Sequence, residues 1–142
     1  MRQGTPLLKW VHPRMTAMAK HASVRVEGNS MAPTYYDGEW LMARWADYSM
    51  ARNPLTKLLH RLRLLNFLAV GDTVVIERAE QPGIYFVKRI ADAREQNAER
   101  PMIYLLSDNP AGTDSRTWGW LPIHYVKARI EFRVKRAKPT SL

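Results

Sequence analysis

The chain reads as a mainly β, antiparallel domain with one inserted amphipathic helix. Three observations carry this expectation: short runs that alternate polar and apolar residues or are densely β-branched, Gly- and Pro-bearing turn signals between them, and one block of leucines at helical spacing. Ser23-Val24-Arg25-Val26-Glu27 alternates and runs into Gly28, which predicts a half-buried strand ending in a turn. Pro33 and the Asp37-Gly38 pair punctuate the connection to a second strand over residues 39–44. Residues 45–70 break the β pattern and are expected to form a helical insertion. After Asn53-Pro54, the leucines Leu55, Leu58, Leu59, Leu62 and Leu65 follow the helical repeat, with Lys57, His60, Arg61 and Arg63 around them.

Thr73-Val74-Val75-Ile76-Glu77-Arg78 is β-branched, and such side chains lose rotamer freedom in a helix but fit a pleated sheet. Gln81-Pro82-Gly83 turns the chain into a second hairpin arm, Ile84 to Ile90, which carries Lys88. Residues 91–101, rich in Ala, Asp, Glu and Arg, are expected as an exposed excursion. Met102 to Leu106 forms another strand, 107–115 a turn-rich loop and Val126 to Val134 a last strand. The expected layout is an N-terminal extension over 1–22, one domain over 23–134 and a basic tail over 135–142 that frays.

Composition bounds the function classes. A chain of 142 residues, 46% hydrophobic and 25% charged, suits a single globular domain. With no cysteine, thiol nucleophiles, disulfides and cysteine metal sites are excluded. The four histidines have no ligand spacing, so the expected chemistry needs no metal and no other cofactor. The longest apolar stretch, Leu64 to Val70, is interrupted by Asn66 and falls far short of the roughly 20 residues of a spanning helix. The N-terminus lacks the uninterrupted apolar core of a secretory signal, so the expected location is cytoplasmic. Twenty-two Lys and Arg against 13 Asp and Glu give a formal net charge of +9. Such a field attracts nucleic acid, anionic lipid or acidic protein alike. The basic 55–69 segment reads either as a surface helix covering the sheet or as a peripheral contact with anionic membrane.

One set of residues offers chemistry. Ser30 lies just past a strand end, where a turn beside Gly28 exposes a hydroxyl and neighbouring backbone N–H groups, although Ser-Met-Ala-Pro-Thr also reads as a plain turn. Lys88 is the only base the pattern offers it. A solvated lysine, with a pKa near 10.4, is protonated at neutral pH, so Lys88 must be desolvated by neighbours such as Phe86, Val87 and Ile90. An ordinary outward-facing strand lysine is the alternative. Asp114 and Arg116 are spaced to form a supporting ion pair.

Val26-Glu27-Gly28-Asn29-Ser30-Met31-Ala32-Pro33-Thr34, then Gly71-Asp72-Thr73-Val74-Val75, then Val87-Lys88-Arg89-Ile90, then Ser107-Asp108-Asn109 with Asp114-Ser115-Arg116 and Gly119, resembles the ordered boxes of the type I signal peptidase family. The resemblance spans about residues 24 to 130. It implies a β-rich catalytic fold shared by signal peptidases and LexA-type proteins, and serine endopeptidase activity that removes a leader or propeptide. It further implies Ser30 as nucleophile and Lys88 as general base, an oxyanion hole at Ser30 and Gly28, support from Thr113, Asp108, Asp114 and Arg116, and a substrate bound in extended form.

Two departures shape the expectation. Type I signal peptidases usually carry membrane spans, and the short, membrane-free layout is similar to the nickel superoxide dismutase maturation proteases. In the last box Gly112 stands where many relatives have a lysine-orienting serine, which leaves Thr113 as the nearest hydroxyl, and Ser107 stands at the family's glycine. The run Leu106 to Pro110 is closer to LexA-type self-cleaving repressors. The second reading is therefore a self-cleaving or noncatalytic regulatory module that binds nucleic acid through its basic surface. No helix-turn-helix or aromatic stacking motif supports that partner.

Overall fold

The computed structural model describes residues 20–95 and 101–137. Strands β1 (Lys20–Arg25), β2 (Trp40–Trp45), β5 (Thr73–Glu77), β6 (Tyr85–Glu95), β7 (Pro101–Leu106), β8 (Leu121–Pro122) and β9 (Val126–Lys135) form one seven-stranded sheet. Its order is β1-β2-β9-β5-β6-β7-β8 and its ladders are antiparallel. Two further strands, β3 (Ser49–Met50) and β4 (Phe67–Leu68), pair in parallel apart from it. The mainly β, antiparallel class expected from sequence is the one observed.

The sheet buries both faces, which explains the unbroken apolar run of its central strand β5. Val74 and Ile76 turn to one core with Ile90, Ile103, Leu105 and Val126. Val75 turns to the other with Val24, Val26, Leu41, Ala128 and Ile130. The period-2 geometry of a strand thus divides one sequence run between two cores.

Three expectations are corrected. The first strand begins at Lys20, inside the segment assigned to an N-terminal extension; residues 1–19 lie outside the described ones. Residues 91–95 are no excursion: β6 continues to Glu95, pairing Ala93 with Ile103 and Arg94 with Met102. Ladder hydrogen bonds and burial of Ile103 override the poor strand propensity of that stretch. Residues 96–100 and 138–142, including most of the basic tail, lie outside the described residues.

The third correction concerns the block 45–70, of which only α1 (Pro54–Arg61) is α-helix. Asn53 and Thr56 form a reciprocal capping box with Pro54 in the first turn, a strong start signal. The helix ends a turn earlier than its leucine spacing suggests, because Arg63 takes a left-handed backbone with φ 58°. Arg63 N–H then donates to His60 O at 3.0 Å and Leu64 N–H to Leu59 O at 2.9 Å, the paired bonds that close a helix C-terminus. The buried Arg129 fastens the block to the sheet by donating from Nη1 to Phe67 O at 2.8 Å and pairing with Glu131 at 2.9 Å.

Candidate active site

The turn carrying Ser30 begins where β1 leaves the sheet. Val26 N–H donates to Glu39 O and Gly38 N–H to Val26 O, both at 2.8 Å, so pairing continues to the brink of the turn. Gly28 then adopts φ 82°, a conformation that other L-residues resist. A helical turn follows, with Ala32 N–H bonded to Asn29 O and Thr34 N–H to Met31 O. The fully buried Met31 side chain anchors it and leaves Ser30 half-exposed.

Lys88 stands on β6 directly opposite Val74 of β5, on the sheet face that also carries Phe86 and Ile90. It is 2% exposed, so it is not an ordinary outward-facing lysine. Burial pushes its pKa down to about 8, and the charge of Asp114 pulls the other way without prevailing. Lys88 and Ser30 line one pocket of about 200 Å³, together with Val24, Val26, Tyr85 and Phe86.

The loop after β7 clamps both residues. Asp108 takes a bidentate pair from Arg89, Nε to Oδ1 at 2.9 Å and Nη2 to Oδ2 at 2.8 Å, and accepts from Thr34 Oγ1 at 2.6 Å. The Arg89 and Thr34 hydrogen bonds, the former the stronger, hold its carboxyl below the usual range against the opposing effect of burial. Asn109 N–H donates to Ser30 O at 2.9 Å, and Asn109 Nδ2 to Asn29 O at 2.9 Å. Three segments distant in sequence are thereby tied at the pocket.

Asp114 fixes the rest of the loop. Its carboxylate caps the short helix α2 (Ser115–Trp118) by accepting from Arg116 N–H at 3.0 Å, accepts from Ser107 N–H at 2.8 Å, and pairs bidentately with the Arg116 guanidinium at 2.9 Å. Burial alone raises the Asp114 pKa, but these donors outweigh it and hold the carboxyl at about 2. The expected Asp114–Arg116 ion pair is present in this geometry.

Two expected participants are placed differently from the rest. Gly28 N–H donates to Asp37 Oδ1 at 2.8 Å and is engaged there, whereas Ser30 N–H donates to no group among the described residues. Thr113 is exposed, and it contributes its carbonyl, which accepts from Ser107 Oγ at 3.3 Å. Sequence reasoning gave no role at the site to Thr34, Arg89 or Ser107, and read Asp37 only as part of a turn. The one available signal was alternation: it sends Arg89 to the face opposite Lys88, where it needs a carboxylate partner.

The pocket also borders an open edge. β6 pairs with β5 through residues 85–89, but with β7 only from Arg89 onward, so the β7-facing edge of residues 85–88 is unpaired by that strand. Residues 24–27 line the same pocket. A half-exposed hydroxyl, a buried amine of lowered basicity and free strand edges suit nucleophilic attack on an extended peptide.

Asp114 sets a stability prediction. Its folded-state pKa lies below the ordinary carboxylate value, so its contribution is full above about pH 4 and lost as pH falls toward about 2. Allowing for water around the half-exposed Arg116, that contribution is about 1 to 2 kcal/mol. Denaturant unfolding of Asp114→Asn is expected to show a loss of at least this size at neutral pH and a weaker acid dependence than the parent.

The family model for signal peptidase, peptidase S26, matches residues 10–93. No curated protein matches the chain. The matched stretch holds both Ser30 and Lys88 and covers more than half of the 142 residues, so the protein belongs to the S26 signal peptidase family of serine peptidases.

Proposed function

We propose that the protein is a Ser-Lys endopeptidase that removes an N-terminal leader or propeptide from a protein precursor. The observation that carries this reading is Lys88, an amine held out of water with a pKa near 8 in the pocket that Ser30 also lines. At neutral to mildly alkaline pH a useful fraction of such an amine is uncharged.

Neutral Lys88 Nζ takes the Ser30 Oγ proton as Oγ bonds to the scissile carbonyl carbon, and the carbonyl π electrons move onto oxygen. Ser30 N–H, free of other partners among the described residues, donates to that oxyanion. The C–N bond breaks as the Lys88 ammonium returns its proton to the leaving amine. Water then adds to the acyl-enzyme, again losing a proton to Lys88, and collapse of the adduct releases the acid and restores Ser30. The precursor lies extended along the open edge of β6 and beside residues 24–27. We take a nickel superoxide dismutase precursor carrying its leader as the candidate substrate.

Purified protein incubated with such a precursor, and with a secretory preprotein as comparison, is expected to cleave one specific bond. Ser30→Ala and Lys88→Met are expected to lower kcat/KM by at least about 10³-fold. In the parent, kcat/KM rises with pH and levels off above about 8. Undiminished cleavage by either variant overturns the assignment. Lys88→Met also removes a penalty: with its folded-state pKa below the unfolded value, Lys88 destabilises the fold fully below about pH 8, and the cost fades as pH rises toward 10.5. The variant is therefore expected to be more stable at neutral pH by about 1 to 3 kcal/mol.

We also propose that α1 and the turn after it dock the enzyme on anionic lipid. No residue of α1 is buried, and Leu55, Leu58, Leu62, Leu64 and Leu65 are exposed. A groove lined by Lys57, Arg61 and Arg94 runs beside them, giving apolar insertion and phosphate attraction on one surface. The proposed contact is peripheral; among the described residues no helix is long and apolar enough to cross a membrane. Co-sedimentation with vesicles containing phosphatidylglycerol is expected, with loss in folded Leu58→Asp and Leu62→Asp. Absent or unchanged association removes the proposal.

A further inference from the structure

A neutral amine acts as a base only if its lone pair points at the proton it takes, and the contact found for Lys88 Nζ among the described residues is with the Phe86 ring, 6.0 Å to its centroid, which fixes no lone pair. Rotation about the last side-chain bond must be stopped by a nearby hydrogen-bond acceptor. The strand register identifies one. β6 and β7 pair Ile90 with Leu105 and Arg89 with Leu106, and Ser107, the residue just past the end of β7, would fall across from Lys88 if that register ran one step further. Cross-strand partners project to the same face, with Cβ atoms about 5 Å apart. Ser107 is 8% exposed and on the face of Ile90 and Leu105, where Lys88 also lies.

Ser107 is held in place and still has capacity to accept. Its N–H is fixed to Asp114 Oδ2 at 2.8 Å, and its hydroxyl proton is directed at Thr113 O across a long 3.3 Å. A donor role for the proton leaves the oxygen lone pairs available to an N–H of Lys88.

Gly112 shows what the Ser107 side chain has displaced. A Cβ at Gly112 would stand 2.4 Å from Ser107 Oγ, 2.7 Å from Ser107 Cβ and 3.1 Å from Ser30 Cβ. Its backbone is not in the left-handed region, so glycine is not demanded by conformation. It is demanded by space that the Ser107 hydroxyl fills, and that space abuts the Ser30 side chain. The only exposed competitor in the loop, Thr113, enters through its carbonyl.

We propose that Ser107 is the positioning residue for Lys88: its hydroxyl oxygen accepts from Lys88 Nζ and aims the amine lone pair at Ser30 Oγ. The inference rests on the Ser30–Lys88 reading. Ser107 exchanges no proton with substrate; it fixes a rotamer, and through Thr113 O it ties that rotamer to the loop.

The experiment measures kcat and KM of the full chain across neutral to alkaline pH for the parent, Ser107→Ala, Thr113→Ala, Gly112→Ser and the exchange variant Ser107→Gly with Gly112→Ser. Ser107→Ala is expected to lower kcat by roughly 10- to 100-fold with little change in KM, as misplacing a catalytic group by about 1 Å does. Its rising limb should move to lower pH, because the ammonium loses an acceptor that favours the charged form. Gly112→Ser alone forces a second side chain into filled space and should lower thermal stability. The exchange variant offers a hydroxyl to the same space from the other backbone position and should recover much of the lost kcat. Parent-like kcat and pH limb in Ser107→Ala, or a larger loss in Thr113→Ala, overturns the assignment even if the exchange variant does not fold. So does a fall in stability without movement of the limb, which marks a structural role. Retained cleavage by Ser30→Ala or Lys88→Met instead sinks the underlying dyad, a separable result.

Discussion

The site depends on keeping the Lys88 ammonium away from water. Ammonium groups are strongly hydrated, and an apolar setting among Phe86, Ile90 and Val74 returns little of that hydration. A nearby free carboxylate would restore the charged form and end any use of Lys88 as a base. Asp114 is the carboxylate whose field reaches it, but that charge is already committed to Arg116 and to the amides of Ser107 and Arg116. The Asp114–Arg116 pair therefore does more than brace a loop. It keeps a necessary hydrogen-bond acceptor beside the pocket without letting its charge dictate the protonation of Lys88.

Alternation along β6 divides two tasks between adjacent residues. Lys88 projects to the face that carries Phe86 and Ile90, and Arg89 projects to the other, where Asp108 receives its guanidinium in a fork. Because Asp108 also accepts from Thr34, the strand carrying Lys88 and the turn carrying Ser30 share one anchor. The bond from Asn109 N–H to Ser30 O adds a second tie. Positioning two groups on separate segments costs chain entropy, and short bonds among partly buried partners offset that cost best.

The sequence made the strands legible because period-2 patterning and turn chemistry are local. Ser23 to Glu27, Thr73 to Glu77 and Val126 to Val134 all lie in or beside observed strands, and Asp37-Gly38 does mark the turn before β2. What escaped was set by neighbours remote in sequence. Residues 91–95 are poor strand formers held by β7, and α1 stops where Arg63, not a glycine, takes a left-handed backbone. The engagement of Gly28 N–H by Asp37 and the clamp from Asp108 to Thr34 likewise arise only where separate segments meet in the fold. Burial of Lys88 was half-written in the chain. Phe86, Lys88 and Ile90 share one strand parity, so the lysine falls on an apolar face, but only packing decides whether its amine escapes to water.

The same sheet sets an open strand edge beside the small pocket. An unpaired stretch of strand is an aggregation hazard that folded proteins usually cover. Here the β7-facing edge of residues 85–88 is left open beside the amine, and residues 24–27 border the same pocket. On the proposed reading, an extended peptide would supply the missing ladder partner, and its backbone hydrogen bonds would fix the register of the scissile bond whatever its side chains are. Selectivity would then fall to the alternate side chains that meet a lining in which Val24, Val26 and Phe86 stand beside Arg25, Glu27 and Lys88. A segment locked into regular structure must first unravel to pair in this way. On the proposed reading the open edge would favour segments that are already extended, as a leader or propeptide would be.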